Sequence, residues 1–207
     1  PNTSPEITEI YDMIIDAYSK GYRHMVLEVS SQGLAYRRLK GITFDYAVFT
    51  NLTQDHLDYH KTMGNYALAK QKVFEKLKYG GTAIINNDDK YKEYLLLDKN
   101  KNITYGFNEA DYQVLDYAMT YDSSLFTYRH NEENYQIHSL LLGKYNIYNV
   151  LAVISLLSEM GVKYEQIHEV ICKLKAPVGR MEIIRYNNNI IVIDYAHTPD
   201  AVEKVIN

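Results

Sequence analysis

The sequence predicts an α/β fold in which a mostly parallel sheet is flanked by helices. The first observation is that short apolar runs alternate with helical segments through the first half of the chain. Such alternation is typical of parallel strands joined by crossover helices. The second observation is a change after Asp111, where β-rich segments follow one another with only short polar turns between them. Consecutive strands of this kind form an antiparallel meander, so we expect a meander attached to the parallel sheet.

Two helices and four strands are predicted in the first half. Ser4 and Pro5 predict a helix start, because a capping hydroxyl followed by proline favours the first turn, and Gly21 is predicted to end that helix. Helical spacing of apolar residues predicts a second helix over residues 66–78, closed by Gly80-Gly81. The predicted strands cover residues 25–29, 46–49, 82–86 and 103–107.

The second half is predicted to contain the meander, two helices and a break in composition. The meander strands are expected at residues 112–121, 125–130 and 135–142, and the helices at residues 150–160 and 165–174. Residues 176–179 read as a hinge, and a strand pair follows it. We therefore expect residues 1–178 to form one domain and residues 179–207 to begin another.

Composition excludes several classes of function. The chain has 207 residues and a formal net charge of −4 with no long Lys/Arg block, which argues against a nucleic-acid partner. No apolar run is long enough to span a bilayer, so no membrane role is expected. Cys172 is the single cysteine, which rules out an internal disulfide and suits the reducing cytoplasm. We expect a cytoplasmic monomer.

Polar side chains with ligand chemistry follow the predicted strands. Glu28 lies within an apolar run, where a carboxylate is costly unless it is paired or binds a metal. His56 follows the next strand, and parallel strands end at the same edge of a sheet, so the two side chains can meet. A carboxylate and an imidazole can bind a divalent ion. The alternative is a polar loop whose side chains are satisfied locally, with Asp55, Asp58 and His60 shaping it.

Lys70 falls on the inward stripe of the predicted helix over residues 66–78. A lysine amine is not a magnesium ligand, although a desolvated neutral amine could react with carbon dioxide to give an anionic carbamate. The residues alone do not predict that modification. The alternative is a snorkelling lysine at the edge of a core.

A second candidate site lies further along the chain. Asn146 and Asn149 are three residues apart at a helix start and would share one face, and their amides suit the edge of a purine. Helix capping is the alternative role for both. Arg180 follows Gly179 at the hinge and is suited to phosphate, or else it is a solvated linker charge.

Together these segments resemble the Mur ligase family over the whole chain, and most of all the branch that adds the third amino acid of the peptide. The matching segments, in chain order, are residues 2–5, 28–34, 49–60, 66–70, 143–149, 179–182 and 194–200. The resemblance implies a central ATPase domain followed by the start of a Rossmann-like ligase domain. It also implies a ligase of peptidoglycan synthesis that uses ATP and Mg²⁺ to join a diamino acid to UDP-N-acetylmuramoyl-L-Ala-D-Glu through an acyl phosphate.

The resemblance also assigns expected roles to single residues. The metal ligands and catalytic residues would be Glu28, His56 and Lys70, the last as a carbamate. The residues binding the UDP-muramoyl-dipeptide would be Asn2, Thr3, Ser4, Ser30 and Arg38. The residues binding ATP would be Asn146, Asn149, Arg180 and Asp194. His197 lies in the same motif as Asp194 and receives no role.

The chain departs from the family pattern in one important respect. The glycine-rich phosphate loop ending in Gly-Lys-Thr does not occur in it. We therefore expect a fragment that lacks this loop, the amino-terminal domain and most of the carboxy-terminal domain, and that is inactive alone. Which diamino acid is added does not follow from these residues. The alternatives are a folylpolyglutamate synthase-type ligase and a non-catalytic binding module.

Overall fold

The computed structural model describes residues 4–187 and 189–206. The helices are α1 (Ile7–Ser19), α2 (Ser31–Ala35), α3 (Leu57–His60), α4 (Met63–Glu75), α5 (Lys144–Glu159), α6 (Tyr164–Ile171) and α7 (Pro199–Ile206). The strands are β1 (Phe44–Phe49), β2 (Leu77–Asn86), β3 (Lys101–Gly106), β4 (Tyr112–Met119), β5 (Ser124–His130), β6 (Glu133–Ser139), β7 (Glu182–Tyr186) and β8 (Asn189–Ile193).

Six strands form one mixed, mostly parallel sheet in the order β1-β2-β3-β4-β5-β6. β3 and β4 are parallel, with Tyr105 opposite Tyr112. β4, β5 and β6 form an antiparallel meander in which Phe126 lies opposite both Tyr117 and Ile137. β7 and β8 form a separate antiparallel pair. The predicted fold class, including the attached meander, is confirmed.

The chain divides into two compact units. The first contains residues up to 47, 54–83 and 93–101, and the second contains residues 48–53, 84–92 and those from 102 onward. The predicted domain boundary after residue 178 does not coincide with a border of these units and stays a prediction.

The first unit has a small core around Ile10, Leu34 and Leu39, which are almost fully buried. Here the predicted cap of α1 is wrong. Glu6 occupies the N-cap position, and a capping box with Glu9 satisfies the first turn. The Ser4 hydroxyl, predicted to cap this helix, is engaged elsewhere.

Two further predictions in the first unit need correction. Residues 25–29 do not form a strand, because no described residue pairs with them in a ladder, and Val26 is 93% exposed. Gly80-Gly81 does not close a helix but lies inside β2. A Cβ on Gly81 would lie 3.1 Å from the Asp45 carbonyl oxygen, so glycine here allows the close approach of neighbouring backbone.

The second unit is built on α5, which buries Ile147, Leu151 and Ile154 in one core with Phe126 and Ile137 of the meander. The helix begins six residues before its predicted start. Its N-cap is Gly143 at φ +91, a conformation that favours glycine. Among the described helices, none combines the length and apolar character that a bilayer crossing requires.

Candidate active site

Lys70 points inward from α4, as its spacing predicts. Desolvation by burial lowers the pKa of its amine, while the negative charges of Glu28 and Asp55 act in the opposite direction without cancelling it. The structure therefore brings Glu28 close enough to Lys70 for their charges to interact. Asp55, expected only to shape the loop, contributes a second carboxylate to the same place.

His56 immediately precedes α3 and has a left-handed backbone at φ +53. Its Nε2 atom lies 3.5 Å from Asp55 Oδ2, and its imidazole is about half exposed. The Tyr66 ring lies edge-on to it, with the ring centroids 6.1 Å apart, and Lys70 Nζ is 5.7 Å from the same Tyr66 centroid. His56 and Lys70 thus flank one aromatic ring, and Glu28 and Asp55 act on the lysine.

A modified Lys70 would hold a cation together with Glu28 and His56. Within the part of the chain that the structure describes, no three His, Cys, Asp or Glu side chains are placed to hold a metal ion. Glu28 and His56 therefore do not belong to a three-residue set of such ligands. The lowered pKa of Lys70 increases the fraction of neutral amine, the form that reacts with carbon dioxide. A carbamate on Lys70 would supply the missing oxygen ligands.

His60 stabilises the loop that carries His56. Its imidazole is 7% exposed, lies 2.8 Å from the Ser31 hydroxyl, and stacks on Tyr66 with ring centroids 4.7 Å apart and an interplanar angle of 12°. Tyr59 packs edge-on against the imidazole. One side chain thus connects α2, α3 and α4, in agreement with the expectation that His60 shapes the loop.

Three of the five expected substrate-binding residues come together in the first unit. The Ser4 and Ser30 hydroxyl oxygens are 3.0 Å apart, and the Ser30 N–H donates to Ser4 Oγ at 2.9 Å. Arg38 donates to the Ser4 carbonyl at 3.0 Å. Asn2 and Thr3 lie outside the described residues.

Arg38 also meets an acidic partner in this cluster. Its Nε lies 3.0 Å from Glu6 Oε1, although this N–H makes no aligned hydrogen bond. The Ser30 hydroxyl caps α2 by accepting from the Gly33 N–H at 3.0 Å. The cluster is therefore a connected polar network in which the serines already have local partners.

Gly33 leaves no room for a side chain in this network. A Cβ there would lie 2.7 Å from Ser4 Cβ and 3.1 Å from Ser30 Oγ. Because both serines are short and held by hydrogen bonds, we expect Gly33→Ala to destabilise the full-length protein by about 1–3 kcal/mol. Thermal unfolding measures the effect. Gly64→Ala is the matched control, because its Cβ would meet nothing closer than 3.5 Å. Equal stability of the two variants would contradict this packing.

The second candidate site lies on the first turns of α5. Asn149 Nδ2 donates to Asn146 Oδ1 at 3.1 Å, and Asn146 Nδ2 donates to the Leu142 carbonyl at 2.7 Å. The predicted shared face of the two asparagines is confirmed. The asparagines are not helix caps, since the N-cap position belongs to Gly143.

Arg180 and Asp194 approach the start of the same helix. Burial and the charge of Asp194 raise the pKa of Tyr145 to about 12, while the charge of Arg180 acts in the opposite direction. Asp194 also orders the hinge by accepting from the backbone N–H of Met181 and that of Ala196, each at 2.8 Å. The Arg180 guanidinium lies 5.1 Å from the Tyr195 ring centroid. All four expected nucleotide-binding residues therefore belong to the surroundings of one helix start.

His197 stays within its own loop. Its Nδ1 lies 3.0 Å from the Tyr195 carbonyl oxygen, and no interaction assigns it a function. The structure also shows an aspartate that the sequence did not single out. Asp88 joins the end of β3 to Tyr148 of α5 through its carboxylate. The signal that could have found it is a polar run, residues 86–89, directly after a buried strand.

Comparison with known proteins agrees with the resemblance seen in the sequence. Residues 1–157 match the Mur ligase middle domain. The chain is 41% identical, over 99% of its length, to UDP-N-acetylmuramoyl-L-alanyl-D-glutamate--2,6-diaminopimelate ligase 1 of Clostridium acetobutylicum. It is 36% identical, over 99% of its length, to UDP-N-acetylmuramoyl-L-alanyl-D-glutamate--L-lysine ligase of Staphylococcus aureus.

A solved structure of a UDP-N-acetylmuramoyl-L-alanyl-D-glutamate--2,6-diaminopimelate ligase is also similar. It has a TM-score of 0.84 and 31% identity, covering 98% of this chain and 43% of that chain. The chain likewise spans 43% of the length of the two curated relatives described above. The family match covers more than half of the chain and includes Glu28, His56, Lys70 and both asparagines. The chain belongs to the Mur ligase family.

Proposed function

We propose that the full-length protein is an ADP-forming ligase of peptidoglycan synthesis. It joins a D-glutamyl carboxylate of UDP-N-acetylmuramoyl-L-Ala-D-Glu to one amino group of a diamino acid. The carboxylate takes the γ-phosphoryl group of ATP, releasing ADP, and the amine then attacks the acyl carbon as phosphate leaves and a proton is lost. The names of relatives that are 36–41% identical over 99% of the chain support this reaction over folate chemistry or a non-catalytic role.

The observation that carries the proposal is the environment of Lys70. Its amine is desolvated, and the charges of Glu28 and Asp55 act on it. A binding module without catalysis has no evident use for a desolvated lysine with a lowered pKa beside two carboxylates. In the proposed enzyme Lys70 carries a carbamate and, with Glu28 and His56, holds Mg²⁺. Bound magnesium would offset the charge that develops on the transferred phosphoryl group.

The remaining residues bind and orient the substrates. We propose that Ser30 and Arg38 contact the UDP-muramoyl-dipeptide, that the buried Ser4 holds both of them in place, and that Asn2 and Thr3 extend this substrate site. Asn146 and Asn149 receive the adenine, with Arg180 and Asp194 contributing from the hinge. His60 and Tyr66 keep the loop of His56 against α4, because they stack directly on each other.

The setting inferred for this enzyme is the cytoplasm. Its proposed substrates are charged, nucleotide-linked compounds, and Cys172, the single cysteine of this 207-residue chain, is partly buried and free. We propose that it works as a monomer and that nucleic acid is not a partner, in line with the formal charge of −4 carried by these 207 residues.

The test is a ligase assay of the full-length protein with UDP-N-acetylmuramoyl-L-Ala-D-Glu, Mg·ATP, and either 2,6-diaminopimelate or L-lysine. We expect phosphate release that requires all three substrates, and a product heavier by one diamino acid minus water. The 207-residue chain is the negative control, because it contains no Gly-Lys-Thr phosphate loop. Glutamate addition to folate by the full-length protein, or no amide product with either diamino acid, would contradict the proposal.

A further inference from the structure

Outside the site already described, the Asp88 carboxylate accepts several hydrogen bonds. It accepts hydrogen bonds from the Phe107 N–H at 2.6 Å, the Asn108 N–H at 3.1 Å and the Tyr148 hydroxyl at 2.7 Å. Burial raises the pKa of this carboxyl, but the hydrogen bonds from Tyr148, Phe107 and Asn108 outweigh burial and hold the pKa below its usual value. The carboxylate is therefore charged and fully engaged.

The turn that carries Asp88 is itself fixed. The Asp88 N–H donates to Asn86 Oδ1 at 3.0 Å, and Asn86 Nδ2 donates to the Thr50 carbonyl at 2.7 Å. On the other side, a Cβ on Gly106 would lie 2.9 Å from the carboxylate atoms of Asp88. Since the carboxylate sits directly on the end of β3, it has little freedom to move. A group that donates a hydrogen bond to this carboxylate is therefore held in a defined position.

Tyr148 links the Asp88 carboxylate to α5. In the sequence it lies between Asn146 and Asn149, in the first turns of α5. Its hydroxyl is held by Asp88, and its ring packs against Phe107 with centroids 4.8 Å apart. Phe107 is in turn held by Asp88 through its N–H. Two contacts to the Tyr148 side chain, at the ring and at the hydroxyl, act together with the buried face of α5 to set the rotation of the helix about its axis, and hence the direction in which the two asparagines face.

We propose that Asp88 is a positioning residue for the nucleotide-binding face of α5. It acts through the Tyr148 hydroxyl to orient Asn146 and Asn149, and it touches no substrate. This inference rests on the proposed function, because it takes the two asparagines to bind adenine nucleotide. It adds residues 86–89 to the elements that set nucleotide affinity.

The test is the affinity of the full-length protein for ADP, measured by calorimetry. Tyr148→Phe keeps the ring and its packing on Phe107 and removes only the hydroxyl, so the fold is retained. We expect about tenfold weaker ADP binding, the scale of one lost hydrogen bond to a charged group. The KM for the UDP-muramoyl-dipeptide should be unchanged. Tyr164→Phe is the matched control, because it removes a hydroxyl on α6 that donates to the Gln136 carbonyl of β6, away from the two asparagines.

A second variant distinguishes a loss of positioning from a general loss of structure. Asp88→Asn should weaken ADP binding at least as much as Tyr148→Phe, and adding Tyr148→Phe to it should cost nothing further, because both act through one hydrogen bond. The side-chain amide NMR signals of Asn146 and Asn149 should shift in Tyr148→Phe and not in Tyr164→Phe. If Tyr148→Phe binds ADP with wild-type affinity and the amide signals of Asn146 and Asn149 do not shift, the inference about Asp88 is wrong but the proposed function is not affected. Absence of ADP binding by the wild-type protein would overturn the proposed function, and the inference with it.

Discussion

Replacing Lys70 should abolish ligase activity in the full-length protein while leaving it folded. We expect Lys70→Ala and Lys70→Arg each to lower kcat by about 10³-fold, roughly 4 kcal/mol of lost transition-state stabilisation. Alanine removes the amine, whereas arginine keeps a positive charge but cannot become a carbamate. If Lys70 acted only as a cation, arginine would restore much of the activity. The measurement is steady-state formation of the amide product at saturating substrates.

Lys72→Ala provides the matched control for this prediction. It lies two residues further along α4 but is exposed, so its loss should leave kcat within about twofold of wild type. A direct readout is available in carbon-13 NMR with labelled bicarbonate. The wild-type protein and Lys72→Ala should show a carbamate signal that Lys70→Arg lacks. Retention of more than a tenth of the activity by Lys70→Arg would refute the carbamate, whatever the spectrum shows.

The reason Lys70 could be found from the sequence is that helical spacing is a local property. Its position relative to Tyr66 and Val73 places it on the buried stripe of α4, and its lowered pKa is the consequence of that burial. The same holds for Asn146 and Asn149, which share a face because they are three residues apart. The order of the motifs along the chain indicated the other site residues. It grouped Glu28 with Lys70 although 42 residues separate them in the sequence.

What the sequence could not predict depends on contacts between distant segments. Residues 25–29 have the composition of a buried strand, yet a strand exists only where a neighbour completes its ladder, and no described residue does so. Ser4 has the chemistry of a helix cap, but its hydroxyl bonds to Ser30 instead. The sequence does not single out Asp88, because its partner Tyr148 lies 60 residues away.

His60 illustrates a residue whose importance is in stability rather than in chemistry, and its replacement should loosen the loop of His56. His60→Gln removes the stack on Tyr66 and disturbs the hydrogen bond with Ser31. We expect a loss of about 2–3 kcal/mol in local stability, or roughly 30- to 150-fold faster amide exchange in α3 and α4 at pH 7.5. Hydrogen exchange followed by mass spectrometry measures it. His138→Gln on β6, where the imidazole is exposed, should leave those amides unchanged.

The pH dependence of the stability contributed by His60 gives a more specific test. Burial is the main cause that lowers the pKa of His60 below its usual 6.5; the charge of His56 acts in the same direction and that of Asp58 in the opposite one. The folded state therefore binds the proton less readily than the unfolded state, so stability from His60 is complete above pH 6.5 and is lost as the pH falls through the folded pKa. Wild-type protection of α4 should fall on acidification, and the gap to His60→Gln should narrow, since glutamine does not titrate. A gap that stays constant between pH 7.5 and pH 5.5, roughly one unit either side of the ordinary pKa of histidine, would show that the imidazole is not held neutral by this site.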